Sequence, residues 1–525
     1  MADESPGTII SLTYHEITAD PRVLKEARAL ARAGYDVHIF CDWPEGKPQH
    51  DEIDGIRVTR FSCFGTDGIS LAAFEAMDFL TSSRPAIADR YVPYASACEF
   101  LTGIRPHLNE RFGSDSFDRL KSSYFRKHKG VKKLKRFVSY LSFHLSLRQF
   151  DAKSPREEGA SVKKMSLSAA LADWRKHRGR QFQAQSIAFW SNLSNEKFDG
   201  QYAAVHAHDI YCLPAGVMLA RQLNVPLVYD AHEYEPARAT KIASDAPQLP
   251  ELIENDCFAH IDRMITVSEG IAELYAQRYQ GPAPTIVMNA PETDAHGALK
   301  KGDLPADFRT VRDQVGLADD QPLVVATGAV QRAHRGMDKV LEALVHLPDV
   351  NLASLGPRHA ANDNWFMGVA RKLGVSSRVH LLPPVDAKHV PAAINSANAS
   401  ICAFQDVSLN HRLAMPNKLF EAAFARIPIC VSDLPEMRRF VETLEIGRVM
   451  DQTCPESIAA ALRDVIQNPE NYRPNSETDR KLAEVYSWPR QAEKLIGLYQ
   501  DLFGAPSSYD ESIRSTIRAE AEPSP

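Results

Sequence analysis

The sequence lacks the features that mark membrane-spanning, secreted and disulfide-stabilised proteins. Its 525 residues contain only eight cysteines, and none form a C-x-x-C pair, which argues against a zinc knuckle or a disulfide framework. No stretch approaches the roughly 18 consecutive apolar residues of a transmembrane helix. The acidic start Met-Ala-Asp-Glu is unlike a signal peptide. We therefore expect a cytoplasmic protein.

The sequence also lacks the charge imbalance that is typical of nucleic-acid-binding proteins. Its 61 Lys and Arg residues face 67 Asp and Glu, which gives a net charge of -6. Because 44% of the residues are hydrophobic, a mainly disordered chain is excluded. At roughly 100–200 residues per domain, the length predicts two to four domains.

Strand and helix patterns alternate along two long parts of the chain. In the first, short apolar runs such as residues 8–14 and 226–230 are separated by segments whose apolar residues recur at helical spacing, as after Pro21. The second begins at residues 322–328 and ends with the strand pattern at 427–431. Apolar strands that alternate with helices form parallel sheets covered on both faces. The sequence therefore predicts two doubly wound α/β domains in tandem.

The predicted domains are interrupted by an insertion and followed by a tail. The divisions are a first domain at 1–290 with a helical insertion at about 66–200, a second domain at 291–485, a last helix at 486–503 and a disordered tail at 504–525.

The insertion contains a strongly basic segment. Residues 119–148 include ten Lys or Arg and no Asp or Glu, interleaved with aromatic and apolar residues. Such a composition favours binding to an anionic membrane surface, which would place the protein at the inner face of the membrane. The alternative is a solvated helix whose apolar stripe packs on its own domain. No recognition motif for nucleic acid accompanies the charges, so we expect no nucleic-acid partner.

In the second domain, the segment 416–421 (Pro-Asn-Lys-Leu-Phe-Glu) begins a predicted helix after a strand that ends near Phe404. At the carboxyl edge of a parallel sheet, the N-terminus of such a helix directs unpaired N–H groups into the cleft and binds phosphate. Lys418 adds a positive charge there. Glu421, one turn later, can accept hydrogen bonds from vicinal hydroxyls such as those of a ribose.

In the first domain, histidines and carboxylates follow two predicted strands. His208 and Asp209 end the first of these motifs, and His232 and Glu233 end the second. Because ligands of open α/β sheets bind at the carboxyl ends of neighbouring strands, these side chains are expected in a cleft. There His208 or His232 can orient an acceptor hydroxyl or assist proton transfer. The alternative is a structural histidine that caps its strand.

The order of these motifs resembles that of the GT-B nucleotide-sugar glycosyltransferases, especially the retaining enzymes of family 4. Asn410 and the segment 416–421 fit the family's Pro-(Asn/Ser)-Lys-(Leu/Ile)-Phe-Glu variant. Glu421 matches the second of two family glutamates, and Leu413 stands where the first is expected. The final Leu-Ile-x-Leu-Tyr run is similar to the family's last helix, which crosses back onto the first domain.

The resemblance implies two Rossmann-like domains that face a cleft, with the donor bound mainly by the second and the acceptor by the first. It implies transfer of a sugar, with retention, from a nucleotide-diphosphate sugar to a glycan or lipid-linked acceptor. It also implies that no metal ion or cofactor is needed, and the sequence has no Asp-x-Asp motif.

The resemblance also assigns roles to particular residues. The donor-binding residues are Gly328, Arg332, Arg335, Gly336, Asn410, Pro416, Asn417, Lys418, Leu419 and Glu421. The acceptor-binding residues are Asp20, Arg22, His208, Asp209, His232 and Glu233. The catalytic residues are His208, Arg335, Lys418 and Glu421. Arg335, with Arg332 as the alternative, would contact the diphosphate together with Lys418, because fixed cations stabilise a leaving group that gains negative charge.

Two other functions fit the same motifs. A GT-B sugar-nucleotide epimerase shares the fold and the donor pocket but needs no acceptor. A non-catalytic nucleotide-sugar-binding or scaffold protein would account for Leu413 in place of a glutamate and for the large basic insertion.

Overall fold

The structure, a computed structural model, describes most of the two predicted domains. The described residues are 7–17, 21–44, 46–61, 193, 196–237, 254, 257–292, 304–332 and 334–503. Most of the predicted insertion, including the basic segment 119–148, and the tail at 504–525 lie outside them.

The first domain is built on an eight-stranded sheet. Its strands are β1 (Thr8–Leu12), β2 (Asp36–Asp42), β3 (His50–Ile53), β4 (Ile56–Phe61), β5 (Tyr202–His208), β6 (Leu227–Ala231), β7 (Arg263–Thr266) and β8 (Thr285–Ile286). They lie in the order β3-β4-β2-β1-β5-β6-β7-β8, and all neighbours are parallel except β3 and β4. The chain builds outward from β1 in one direction and from β5 in the other. The switch point, where a ligand crevice forms, therefore lies between β1 and β5.

The second domain is built on a six-stranded sheet in which every pair is parallel. Its strands are β9 (Leu323–Thr327), β10 (Asn351–Leu355), β11 (Val379–Leu382), β12 (Ala399–Cys402), β13 (Ile429–Ser432) and β14 (Gly447–Met450). The order β11-β10-β9-β12-β13-β14 puts the switch point between β9 and β12. Every residue of β9, β10, β12 and β13 is buried, as expected for strands covered on both faces.

Helices cover these sheets and connect their strands. They are α1 (Pro21–Arg32), α2 (Asp209–Leu223), α3 (Glu269–Arg278), α4 (Val311–Val315), α5 (Met337–Leu344), α6 (Ala360–Lys372), α7 (Val390–Ile394), α8 (Leu409–Arg412), α9 (Asn417–Phe424), α10 (Pro435–Leu444), α11 (Pro455–Gln467), α12 (Ser476–Lys481) and α13 (Trp488–Phe503). The strand-helix alternation confirms the predicted doubly wound α/β class.

The last helix, α13, packs on the first domain. Gln491 of α13 is fully buried and accepts a hydrogen bond from the backbone N–H of Met288 at 2.9 Å. The Lys25 ammonium of α1 lies 4.4 Å from the centre of the Trp488 ring. The chain thus returns from the second domain to the first.

The two domains also meet beside the carboxyl ends of their central strands. Asn410, in the segment after β12, bonds the backbone N–H of Tyr234, in the segment after β6, at 2.9 Å. The Ser268 hydroxyl donates to the carbonyl of Leu413 at 2.9 Å. The carboxyl edges of the two sheets therefore face one shared cleft.

Two predictions concern disulfide bonds and membrane-spanning helices. The cysteines among the described residues are free thiols, and five of these six are buried. No helix in the described ranges combines the length and the apolar character needed to cross a bilayer.

Candidate active site in the interdomain cleft

Two predicted donor residues, Lys418 and Glu421, lie at the switch point of the second sheet. Pro416, in an extended conformation, precedes α9 and supplies its N-cap. The Lys418 ammonium lies over Gly328, the first residue after β9, where an added Cβ would be 3.6 Å from Nζ. The Glu421 carboxylate accepts a 2.5 Å hydrogen bond from the Thr327 hydroxyl at the end of β9. The start of α9 and the end of β9 thus hold an ammonium and a carboxylate together at the carboxyl edge of the second sheet.

Arg335 lies on the other side of the switch point of the second sheet. Its guanidinium stacks 4.5 Å from the centre of the Phe404 ring, and Lys418 Nζ is 5.6 Å from that ring. Phe404 follows β12, so one aromatic side chain at the switch point is shared by both cations. Arg332 points elsewhere, 5.7 Å from the Trp365 ring of α6. The structure thus places Arg335, rather than Arg332, beside Lys418.

The backbone around Arg335 is held tightly. Gly336 has φ 60°, and an added Cβ would lie 2.2 Å from the Ala403 carbonyl oxygen. His334 also has positive φ, at 73°, and its carbonyl accepts a hydrogen bond from the backbone N–H of Gln405 at 2.9 Å. The turn before α5 is therefore fixed against the end of β12, which determines where Arg335 points.

Burial shifts the pKa values of these groups. Removal from water and the nearby Arg335 together lower the pKa of Lys418 to about 8. Burial also raises the pKa of the Glu421 carboxyl, although the Thr327 hydroxyl and Lys418 oppose that rise. An anionic ligand placed between Lys418 and Arg335 would relieve their mutual repulsion.

The other donor-side predictions lie in different surroundings. Asn417 is exposed at the start of α9, and Leu419 is fully buried in the core of the second domain. Asn410 is directed across the cleft: its amide accepts from Tyr234 N–H and donates to the Glu233 carboxylate at 3.1 Å. In this structure Asn410 joins the two domains.

On the acceptor side, His208 and His232 converge on Asp230. Nδ1 of His208 is 3.2 Å from Nε2 of His232. The Asp230 Oδ2 lies 3.3 Å from His208 Nδ1 and 3.1 Å from His232 Nε2. His208 is 1% exposed and also contacts the Ser11 hydroxyl at 3.1 Å, whereas His232 is 14% exposed. Of the two histidines, His232 is the one open to the cleft.

Asp230 itself is a fully buried anion. Burial alone would raise its pKa, but Arg22 and His232, together with hydrogen bonds from the histidines, lower the pKa well below its usual range. Arg22 makes two aligned hydrogen bonds to Asp230, at 2.8 and 2.9 Å. It also donates a hydrogen bond to the carbonyl of Val287 at 2.7 Å.

Three further acceptor-side predictions can be located. Arg22 is 1% exposed, so its guanidinium faces carboxylates of this chain beneath the cleft. Asp209, with φ 58°, contacts His232 Nδ1 at 3.4 Å. Glu233 bonds Asn410 across the cleft. Asp20 lies outside the described residues.

Sequence reasoning assigned no role to three side chains that organise the site. Asp230 is the last residue of the predicted strand at 226–230, and its position two residues before His232 is a usable signal. Thr327 and Phe404 ended predicted strands, but only the fold brings Thr327 to Glu421 and Phe404 to Arg335.

Comparison with known families gives two matches. The model described as "Glycosyl transferase 4-like domain" matches residues 145–291. The model described as "Glycosyl transferases group 1" matches residues 307–482, which include all the donor-side residues. Among curated relatives, the D-inositol 3-phosphate glycosyltransferase of Xylanimonas cellulosilytica is 24% identical over 308 residues, 57% of this chain and 72% of that protein.

Two solved structures share the two-domain fold. The sucrose-phosphate synthase from Thermosynechococcus elongatus aligns with a TM-score of 0.58 and 14% identity, covering 95% of this chain and 99% of that one. A glycosyltransferase from Rickettsia africae aligns with a TM-score of 0.51 and 10% identity, covering 94% and 98% respectively. At these identities the likeness supports the common two-domain fold.

Proposed function

Because the chain belongs to the group 1 glycosyltransferases and carries a glycosyl transferase 4-like domain before its donor domain, we propose that it transfers a sugar from a nucleotide-diphosphate sugar to a hydroxyl group of an acceptor. We further propose that the transfer retains the anomeric configuration and needs no metal ion.

The observation that carries this proposal is the pair of cations at the switch point of the second sheet. Lys418 and Arg335 share the Phe404 ring at the start of a helix, where backbone N–H groups favour anions. In transfer from a nucleotide sugar, the diphosphate leaves with increased negative charge. Preorganised cations that face the diphosphate stabilise the transition state more than the ground state, and they supply the positive charge that a metal ion brings elsewhere.

The nucleoside would extend from the diphosphate toward Glu421. One carboxylate oxygen of Glu421, Oε2, is occupied by the Thr327 hydroxyl. The remaining oxygen, Oε1, would accept a ribose hydroxyl. Removal of this carboxylate should weaken the binding of nucleotides more than the binding of inorganic diphosphate.

The acceptor would bind against the first domain, near His232. Its imidazole is the more exposed of the two, and Asp230 and Asp209 hold it at 3.1 and 3.4 Å. A histidine oriented by carboxylates can align an acceptor hydroxyl and take up its proton. His208, buried behind it, would fix the ring of His232.

The acceptor class is open to direct test. A relative of 24% identity bears the name D-inositol 3-phosphate glycosyltransferase, so inositol phosphates belong in the acceptor panel beside glycan and lipid-linked alcohols.

A thermal-shift panel of nucleoside diphosphates and nucleotide sugars tests the donor assignment. A true donor or product raises the unfolding midpoint by mass action. The best donor is then incubated with and without acceptors, and nucleoside diphosphate release is measured. Release that depends on an acceptor supports transfer. An epimer formed without an acceptor, or tight binding without turnover, would contradict it.

A further inference from the structure

A group of buried polar atoms lies beneath the acceptor-side histidines, and the proposed chemistry does not use it. Glu26 of α1 and His206 of β5 are each 1% exposed, and Tyr499 of α13 is fully buried. Both carboxyl oxygens of Glu26, Nε2 of His206 and the hydroxyl of Tyr499 have no hydrogen-bond partner among the described residues. Buried polar groups are nearly always satisfied, so this cluster needs an occupant or a proton.

A metal ion is the first occupant to consider. One ligand atom each from Glu26, His206, His208 and Asp230 lies within 4.8 Å of the others. However, the Arg22 guanidinium already lies 2.9 Å from Glu26 Oε1 and 2.8 Å from Asp230 Oδ2. Arginine cannot lose its charge in a protein. A divalent cation would therefore sit against a fixed positive charge, which disfavours the metal.

The hydrogen-bond geometry of the cluster points to a proton, because neither oxygen of Glu26 receives an aligned hydrogen bond. The Arg22 guanidinium carries one positive charge, and its aligned hydrogen bonds go to Asp230 and the Val287 carbonyl. The Lys25 ammonium donates hydrogen bonds to Asn289 Oδ1 at 2.7 Å and to the backbone carbonyl of Ala290. An ionised Glu26 would have the Arg22 guanidinium 2.9 Å from Oε1 but no donor aligned for a hydrogen bond to either oxygen, which is costly in a buried site.

Burial and the titratable groups around Glu26 shift its pKa and that of His206. They are Arg22 and Lys25 on α1, His206 and His208 on β5, Asp230 and His232 at the end of β6, and Tyr499 on α13. Burial raises the pKa of Glu26 to about 8; Arg22 opposes the rise and Asp230 adds to it. Burial also lowers the pKa of His206 well below its usual value, so its imidazole is neutral.

We propose that Glu26 holds a proton at neutral pH and lies beside the neutral imidazole of His206, with 3.8 Å between Glu26 Oε2 and His206 Nε2, as a neutral acid–imidazole pair. With Glu26 neutral, Asp230 is the anion that pairs with the Arg22 guanidinium. Asp230 stays ionised and holds His208 and His232. In this role Glu26 is a positioning residue that acts through Arg22. The effect on the histidines rests on the proposed function, whereas the protonation of Glu26 does not.

Infrared difference spectroscopy on the full chain tests the proposal without any substrate. The spectrum of wild type minus Glu26→Gln should show the C=O band of a protonated carboxyl at pH 7, and that band should disappear as the pH passes about 8. Glu254→Gln is the matched control, because Glu254 is also buried and has a raised pKa of about 7. Absence of the Glu26 band at pH 7 would overturn the proposal.

Two further measurements close the alternatives. Wild type and Glu26→Gln are each incubated with Zn²⁺, dialysed and analysed for metal. Stoichiometric zinc in wild type that is absent from Glu26→Gln would show that the cluster binds a metal ion, and it would overturn the proposal of a proton. If Glu26→Gln does not fold while Glu26→Asp does, the negative charge is required and the proposal fails. If the band is present but no donor is ever consumed, the proposed function fails while the acid–imidazole pair stands.

A kinetic measurement tests the positioning role separately. Once an acceptor is known, the pH profile of kcat/KM should fall above about pH 8 in wild type, and this fall should be absent or displaced in Glu26→Gln. Identical profiles for the two proteins would show that Glu26 does not act on the histidines.

Discussion

At the scale of single residues, the charged groups of the site are buried or half-buried, so water screens them less than it screens surface charges. Lys418 and Arg335 face the same aromatic ring, and Asp230 is an anion bound by Arg22 on one side and by two histidines on the other. Each pKa shift is therefore a property of a pair or a cluster. Substitutions should be interpreted by the partner that they leave behind.

The lowered pKa of Lys418 predicts a pH dependence of donor binding. Below about pH 8 the lysine is charged in the empty protein, so affinity for a nucleoside diphosphate should be constant. Above that pH the affinity should fall by up to about tenfold per pH unit, because binding must first restore the proton. Calorimetric titrations from pH 6.5 to 9.5 measure this. Lys418→Arg keeps its charge and should give a flat profile; a profile parallel to wild type would contradict the assignment.

Sequence could predict the residues whose chemistry is carried by a local motif. Lys418 and Glu421 lie where a helix start after a parallel strand places them. Asn410 shows the limit: its motif indicates donor contact, but its amide bonds Glu233 and Tyr234, which lie 177 and 176 residues earlier in the chain. Such a pairing depends on how two domains dock, and no local spacing encodes that.

At the scale of elements, the turn into α5 joins strand geometry to the donor site. Gly336 permits the positive φ and the close approach of the β12 end, and Arg335 follows from that path. The periodicity of apolar residues predicted the strands and helices. It did not predict which turn was tight, because close approach is a tertiary property.

Replacement of Gly336 by alanine should be more damaging than replacement of another left-handed glycine. Gly374 has φ 72° with nothing within 4 Å of an added Cβ, so Gly374→Ala should cost only the backbone strain, about 1–2 kcal/mol. In Gly336→Ala the Cβ would meet the Ala403 oxygen at 2.2 Å, which adds a steric clash to the same strain. Denaturant unfolding of both variants gives the comparison. Equal losses of free energy would contradict this account.

At the scale of the whole molecule, the two sheets face one cleft, and several contacts join the two domains. Trp488 of the last helix contacts Lys25 of α1, Asn410 bonds the segment after β6, and Glu436 of α10 accepts a hydrogen bond from the backbone N–H of Gly270 in α3. Two tandem doubly wound domains were predictable from strand-helix alternation, since that pattern repeats along the chain. The interdomain contacts were not predictable, because their partners lie far apart in sequence.

Asn410→Ala should loosen the contact between the domains. The variant removes the acceptor for the buried N–H of Tyr234 and the donor to Glu233. Amide hydrogen exchange at residues 233–235 should accelerate, while Asn471→Ala, at an exposed site, should leave it unchanged. Unaltered protection in Asn410→Ala would mean that the contact does not hold the domains.

The basic segment 119–148 carries a separate prediction about location. With ten basic and no acidic residues, it should bring the protein down with anionic liposomes at low salt and release it at high salt. Neutral liposomes are the control. Protein that remains in the supernatant with anionic liposomes at low salt would contradict peripheral membrane binding.

The central claim is that Lys418 and Arg335 hold the diphosphate of a nucleotide-sugar donor during transfer. The most direct measurement is acceptor-dependent release of nucleoside diphosphate by wild type and by Lys418→Ala, with Lys339→Ala on α5 as a folded control. We predict that Lys418→Ala lowers kcat by about 100-fold or more while Lys339→Ala stays near wild type. Turnover of Lys418→Ala within about twofold of wild type would contradict the claim.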